Sequence, residues 1–264
     1  MTIFYPDYSS FQGQATVPAD TPAIVAKATE GTYYIDADYG YYKTTAQNMG
    51  IPFSGYHFLK ADIDPAAQAL YYWNFAGSTP CMLDVETEGT SKPTVDQVVT
   101  FMQALQRLGG RVWGVYFPQW YWGQVGGDLG RLTALKAVLV ASDYRTYSDT
   151  AWPGAYGGAT PIVWQYTSTP IDMNAFKGTP AELADIINGD IVTPADIQAI
   201  AAAVYQYGQE AVVMPDGSTN KNVPLGNLVH GAWVALNDPT TGVLKRLADV
   251  EAALAASGQT LVKL

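Results

Sequence analysis

The stretch "PCMLDVETEG", residues 80–89, reads as a buried strand that ends in acid. Cys81, Met82 and Leu83 form an apolar run, and Asp84 and Glu86 follow with only Val85 between them. Side chains alternate along an extended chain, so Asp84 and Glu86 share one face and Val85 takes the other. Their Cα atoms then lie about 6–7 Å apart, two strand rises. Carboxylates that close repel each other, and one holds its proton to a higher pH. Such a pair supplies a general acid and an ionised partner from two similar groups. The competing reading is a solvated strand end before a turn, and the rest of the chain decides between the two.

Outward from this stretch, short β-like runs recur with helical patterns between most of them. Strands are expected at 2–7, 23–28, 53–58, 81–86, 111–117, 137–144, 161–166 and 171–173. Helices are expected near 37–49, 64–76, 93–108, 128–135 and 181–188. The one at 93–108 has Pro93 in its first turn and stops at Gly109-Gly110. The alternation predicts an α/β fold, an irregular β/α (TIM-like) barrel with about eight parallel-type strands. The last two strands leave little room for a helix between them.

Barrels of this kind place chemistry at the C-terminal ends of their strands. Here those ends deliver Asp7, Lys27, Tyr56 and His57, Asp84 and Glu86, Tyr116, Asp143 and Tyr144, Gln165, and Asp172. One polar strand end means little, but eight together describe a carboxylate-rich bowl. That favours the catalytic reading of Asp84 and Glu86.

Composition narrows the chemistry. The 264 residues suit one large domain with an extension, and a net charge of −10 argues against nucleic-acid or anionic-membrane partners. The single cysteine excludes an internal disulfide and a cysteine metal site. His57 and His230 are in no metal-ligand spacing, and neither a G-x-S-x-G elbow nor a phosphate loop occurs. His57 is open to either role, structural hydrogen bonder or site residue. The 18 Tyr and 7 Trp suit stacking on sugar rings as well as packing. Carboxylate chemistry with aromatic platforms remains, and its familiar use is glycoside hydrolysis.

The chain from Ile3 to about Phe176 resembles the glycoside hydrolase family 25 lysozymes, the Chalaropsis-type N-acetylmuramidases. The resemblance is carried by "PDYSSFQG" (6–13), "AIVAKATEGTYYID" (23–36), "GIPFSGYHF" (50–58), "MLDVE" (82–86) and "VWQYTSTPIDMNAF" (163–176), in the family's order. It implies cleavage of the β-1,4 bond between N-acetylmuramic acid and N-acetylglucosamine in bacterial peptidoglycan, without metal or cofactor. It also implies that Glu86 is the proton donor, Asp84 its partner, and Asp7 and Asp172 two further acids of the groove. The family's usual Asp-Val-Ser opening is Asp7-Tyr8-Ser9 here, which keeps the acid. Asp84 either orients the 2-acetamido group for internal attack or stabilises the cation directly. Lys27, Tyr56, His57, Tyr116, Trp164 and Gln165 are candidate substrate contacts. A barrel that binds glycan without turnover, or a virion-associated structural lysin, is the alternative.

Residues 1–189 hold all of these positions, and after Gly189 the character changes. Residues 190–264 read as a helical C-terminal region with a linker near 209–226, and match no wall-binding repeat. Two helices, expected on either side of 237–239, carry the apolar stripe Val243, Leu247, Val250 and Leu254. That stripe needs a partner surface, the barrel flank, the helix at 194–207 or another copy of itself. Beyond docking on its own chain, the region suits wall targeting, through aromatic and polar groups near His230 and Trp233, or self-association. The opening "MTIFYPDYSS" shows no signal-peptide pattern and no run marks a membrane span. A wall-degrading chain without an export signal suggests a phage endolysin, held in the host cytoplasm until a holin releases it.

Overall fold

Alternating strands and helices wind into a barrel closed by its first two long strands. A computed structural model describes residues 1–189 and, beyond them, the backbone of two short strands. The strands are β1 (Thr2–Tyr8), β2 (Ile24–Glu30), β3 (Tyr34–Ile35), β4 (Phe53–Phe58), β5 (Cys81–Asp84), β6 (Val112–Tyr116), β7 (Val138–Ser142), β8 (Val163–Thr167) and β9 (Asp172–Lys177). Their order is β1-β9-β8-β7-β6-β5-β4-β2, with β1 pairing β2 to close the ring and β3 appended to β2. Seven barrel strands are parallel to one another. β9 is antiparallel to both of its neighbours.

The eighth strand therefore departs from the parallel expectation, and it is longer than the three residues read from the sequence. The reason is chain length. Only residues 168–171 separate β8 from β9, and a parallel return needs a crossover of a dozen or more residues. β5 also ends earlier than expected, at Asp84, so Glu86 sits on the loop beyond the strand.

The helices are α1 (Tyr39–Met49), α2 (Pro65–Ala76), α3 (Val95–Arg107), α4 (Gln119–Val125), α5 (Gly130–Ala134) and α6 (Pro180–Asn188). α4 adds to the expected set, since "QWYWGQV" has more aromatic than helix-forming character. α3 starts with a capping box in which Thr94 and Gln97 satisfy each other's backbone donors. Its buried stripe of Val98, Phe101, Met102 and Leu105 packs with α2 over β4, β5 and β6. Burying each such side chain contributes about 1.5–3 kcal/mol. α1 covers β2 through Tyr42 and Ala46. Around β8, β9 and β1 the wall is covered by rings of Phe4, Tyr147, Trp152, Trp164 and Tyr166 in edge and tilted contacts, with the short 3-10 turn Asp149–Ala151 tied to Thr2 of β1.

The barrel interior has a lower, apolar storey. Tyr5, Val25, Met82, Trp113, Val140, Val163 and Phe176 meet there, and Leu183, Ile186 and Ile187 of α6 plug it from below. Arg111, just before β6, donates to the Ile186 and Ile187 carbonyls at 2.7 and 2.9 Å and latches the plug. α6 then ends at Gly189 with φ of 83°, a left-handed cap that favours glycine.

Two units divide the chain, Met1–Gly189 and Asp190–Leu264. Inside the stretch read as a linker, β10 (Val212–Val213) pairs antiparallel with β11 (Thr219–Asn220). The expected tail helices, the stripe from Val243 to Leu254, and His230 and Trp233 lie outside the described residues.

Candidate active site

Two residues beyond the apolar storey, the same strands turn acidic. β1 and β9 make Asp7 and Asp172 direct cross-strand partners, and β5 ends on Asp84 between Phe58 of β4 and Tyr116 of β6. Asp7 is buried and accepts from the Gln165 side-chain amide at 3.0 Å and from the Asn174 amide at 2.7 Å. Burial raises its pKa, and the two amide donors oppose the rise. Asp172 is pushed up to about 7, mainly by burial and then by the charges of Asp7 and Glu86. Four carboxylates share one end of the barrel.

Asp84 and Glu86 form the inner pair. Asp84 is only half-buried as a residue, but its Oδ1 is sealed from solvent with no hydrogen-bond partner. Burial, and next the charge of Glu86, hold Asp84 well above the carboxylate range, against the pull of Lys27. Burial also raises Glu86, with Lys27 opposing and Asp7 and Glu88 adding. Both acids are raised above the ordinary carboxylate range, by burial first in each, and they titrate as one pair. Glu86 lies past the strand, yet Val85 still donates to the Tyr116 carbonyl at 2.9 Å and continues the extended path.

The loop bearing Glu86 is tied down beyond it. Glu88 pairs with Lys60, and the Ser91 hydroxyl accepts from the Ala61 amide at 2.8 Å. On the other side of Glu86 a cavity of about 440 Å³ opens, lined by Glu86, Tyr116, Gln119, Trp120, Ser142, Asp143 and Tyr144. That volume suits a small organic ligand.

A barrel with carboxylates gathered at its strand ends invites comparison with known proteins. A family model of glycosyl hydrolases family 25 matches residues 7–174. The chain belongs to that family. An autolytic lysozyme of Clostridium acetobutylicum is 29% identical over 96 residues, 36% of this chain. The match covers 29% of that protein's length. A muramidase from Trichobolus zukalii has a similar fold at 24% identity and a TM-score of 0.60, over 71% of this chain and 99% of that one. The catalytic domain of an endolysin from a Listeria monocytogenes bacteriophage aligns at 21% identity and a TM-score of 0.53, over 72% and 97% of the two chains.

Within this family 25 barrel the candidate contacts divide into two groups. Lys27 and Tyr56 face the acids. Lys27 is fixed by Glu30 at 2.7 Å and lies near the Tyr34 and Phe58 rings. The Tyr56 phenol is pushed far up by burial and by Asp84, Asp7 and Asp172. Tyr116 lines the cavity. Gln165 is buried and acts on Asp7 rather than toward open space.

His57 and Trp164 are corrections. The alternation that turns Tyr56 inward turns His57 outward. His57 is fully buried, with Nδ1 2.7 Å from Thr29 Oγ1 and Nε2 3.1 Å from Gln68 Oε1, and its ring stacks on Phe101 of α3. Burial pushes it down to about 4, so it is neutral and structural. Trp164 likewise points away from Gln165's face. It is fully buried among Tyr147, Trp152 and Tyr166, and its indole N–H donates to the Asp143 carbonyl at 2.9 Å. Gln119, Trp120 and Asn174 were missed as site residues. The aromatic run "FPQWYWG" right after a strand end was the available signal for Trp120.

Proposed function

We propose that the chain is a peptidoglycan hydrolase that cleaves the β-1,4 bond between N-acetylmuramic acid and N-acetylglucosamine. The observation that carries this reading is the Asp84–Glu86 pair, both raised first by burial and Asp84 also by the charge of Glu86, at the strand ends of a family 25 barrel. Glu86 lines the open cavity, so it is the member that reaches a glycosidic oxygen and hands over the pair's proton. As the bond breaks, positive charge grows on the sugar ring. Asp84, now free to stay ionised, orients the 2-acetamido group or faces the charge directly, with Asp7 and Asp172 beside it. Lys27 keeps the cluster from protonating entirely, because its charge favours the ionised form of both pair members.

The autolytic lysozyme and muramidase among the similar proteins support the substrate, and the endolysin domain supports a phage origin. On that reading the enzyme waits in the host cytoplasm and reaches the wall when a holin opens the membrane. Residues 190–264 then serve wall retention or self-association.

Digestion of purified peptidoglycan followed by mass spectrometry of the products tests the reading. New reducing ends on N-acetylmuramic acid are expected. New reducing ends on N-acetylglucosamine would contradict the assigned bond, and intact glycan would favour a barrel that only binds.

A further inference from the structure

Glu86 stands between two unlike halves of the bowl. To one side lie Asp7, Asp84, Asp172 and Tyr56, coupled through their charges. To the other lies the cavity at the ends of β6 and β7, whose walls include Glu86 but none of those three aspartates. A glycosidic oxygen protonated by Glu86 has one sugar ring on each side. The ring that becomes positively charged is stabilised by carboxylates, so it belongs over the aspartates. The departing ring belongs in the cavity.

We propose that Trp120 and Tyr144 form the clamp for the leaving-group sugar, and that they select an uncharged N-acetylhexosamine there. This deepens the proposed function and rests on Glu86 being the acid. Both rings are open to solvent, Trp120 at 49% and Tyr144 at 55% exposure, although large aromatics contribute most when buried. Both line the cavity, and both are held in place. Trp120 sits on α4 beside Tyr121, which is fully buried and anchored by its hydroxyl to the Pro93 carbonyl at 2.6 Å. The Tyr144 hydroxyl donates to Gln165 Oε1 at 2.8 Å, while the same Gln165 donates its amide to Asp7 at 3.0 Å. One amide thus fixes a platform and a catalytic-cluster acid together. Rings fixed in advance lose little freedom on binding.

The wall chemistry selects the ligand. Ser142 and Gln119 offer hydroxyl and amide groups, Glu86 is the acid, Asp143 is the other carboxyl group, and the lining holds no Lys or Arg. Arg145 is not in the lining; it pairs with Asp143 at 3.1 Å and lies against the Trp164 ring. A ring bearing a lactyl carboxylate or a peptide acid finds no cationic partner in this lining, and a neutral acetamido sugar needs none.

The experiment uses the full chain with two substrates. One is purified wall glycan, whose leaving group is a sugar. The other is the disaccharide GlcNAc-MurNAc with fluoride on its anomeric carbon, which fills the aspartate side and releases only fluoride. Trp120→Ala should lower kcat/KM on glycan about tenfold or more, with the fluoride rate kept within about twofold. Trp120→Phe should restore most of the loss. An equal loss on both substrates, or no loss on glycan, overturns the clamp. A wild-type enzyme inactive on both substrates overturns the hydrolase reading and the clamp with it, whereas one that releases fluoride and spares glycan overturns the assigned wall substrate and, with it, the sugar named here.

Discussion

Two storeys of the same barrel differ by one step of strand alternation, and they do opposite jobs. Tyr5, Val25, Met82, Val140 and Val163 fill the lower storey with apolar volume. Two residues further on, the same strands present Asp7, Lys27, Asp84, Ser142 and Gln165. The lower storey gains from the apolar surface it buries, with the Tyr5 hydroxyl the one group there that is buried without a partner among the described residues. The upper one keeps carboxylates partly desolvated and leaves Asp84 Oδ1 and Asn174 Oδ1 buried without partners, each such group costing about 1–3 kcal/mol. The contrast shows where stability gives way to function: the buried carboxylates sit in one layer, directly above the apolar plug.

The largest expected effect separates the storeys by activity. Glu86→Gln keeps the shape of the side chain and removes the proton, so wall hydrolysis should fall by ~10²–10⁴-fold with the melting temperature unchanged or raised. Turbidity loss of purified walls and a thermal scan read the two quantities. A variant of near-native activity would remove Glu86 from the chemistry.

The lower storey should give the mirror image. Ile187→Ala opens a cavity in the α6 plug, where the side chain is fully buried. It should cost about 2–5 kcal/mol of stability, measured by denaturant unfolding, while the folded fraction keeps its turnover. A loss of specific activity as large as that of Glu86→Gln would mean the storeys are not separable.

The smallest effect is a gain. Asp172 is pushed up to about 7 in the fold, from about 3.9 in an unfolded chain. The folded state therefore binds the extra proton across that window. Its stabilising contribution is complete below about pH 4 and is lost as pH rises through about 7. Asp172→Asn should match wild type in melting temperature near pH 4 and exceed it at pH 8, with lower activity. A variant no more stable than wild type at pH 8 would show that this acid carries no strain.

Much of this was legible in the sequence because strand alternation and buried runs are local signals. Asp7, Asp84 and Glu86 each follow an apolar stretch, Asp172 opens the short run after Pro170, and all four converge in the fold. What failed was facing. His57 and Trp164 each neighbour an inward residue, and a one-residue step put them on the outer wall. The antiparallel β9 was hidden for a different reason, since strand direction is set by the length of the connection rather than by the strand. The sealed, partnerless Oδ1 of Asp84 was hidden too. It depends on burial of single oxygens, which residue type does not encode.

The pair is the account's central claim, and the pH–activity profile of Asp84→Asn against wild type tests it most directly. In wild type, the alkaline limb marks loss of the pair's last proton, which must leave against the charge of a neighbouring carboxylate. In the Asp84→Asn variant that repulsion is gone, so the residual activity should show its alkaline limb at lower pH. A limb that stays in place or moves upward would contradict a shared proton between Asp84 and Glu86.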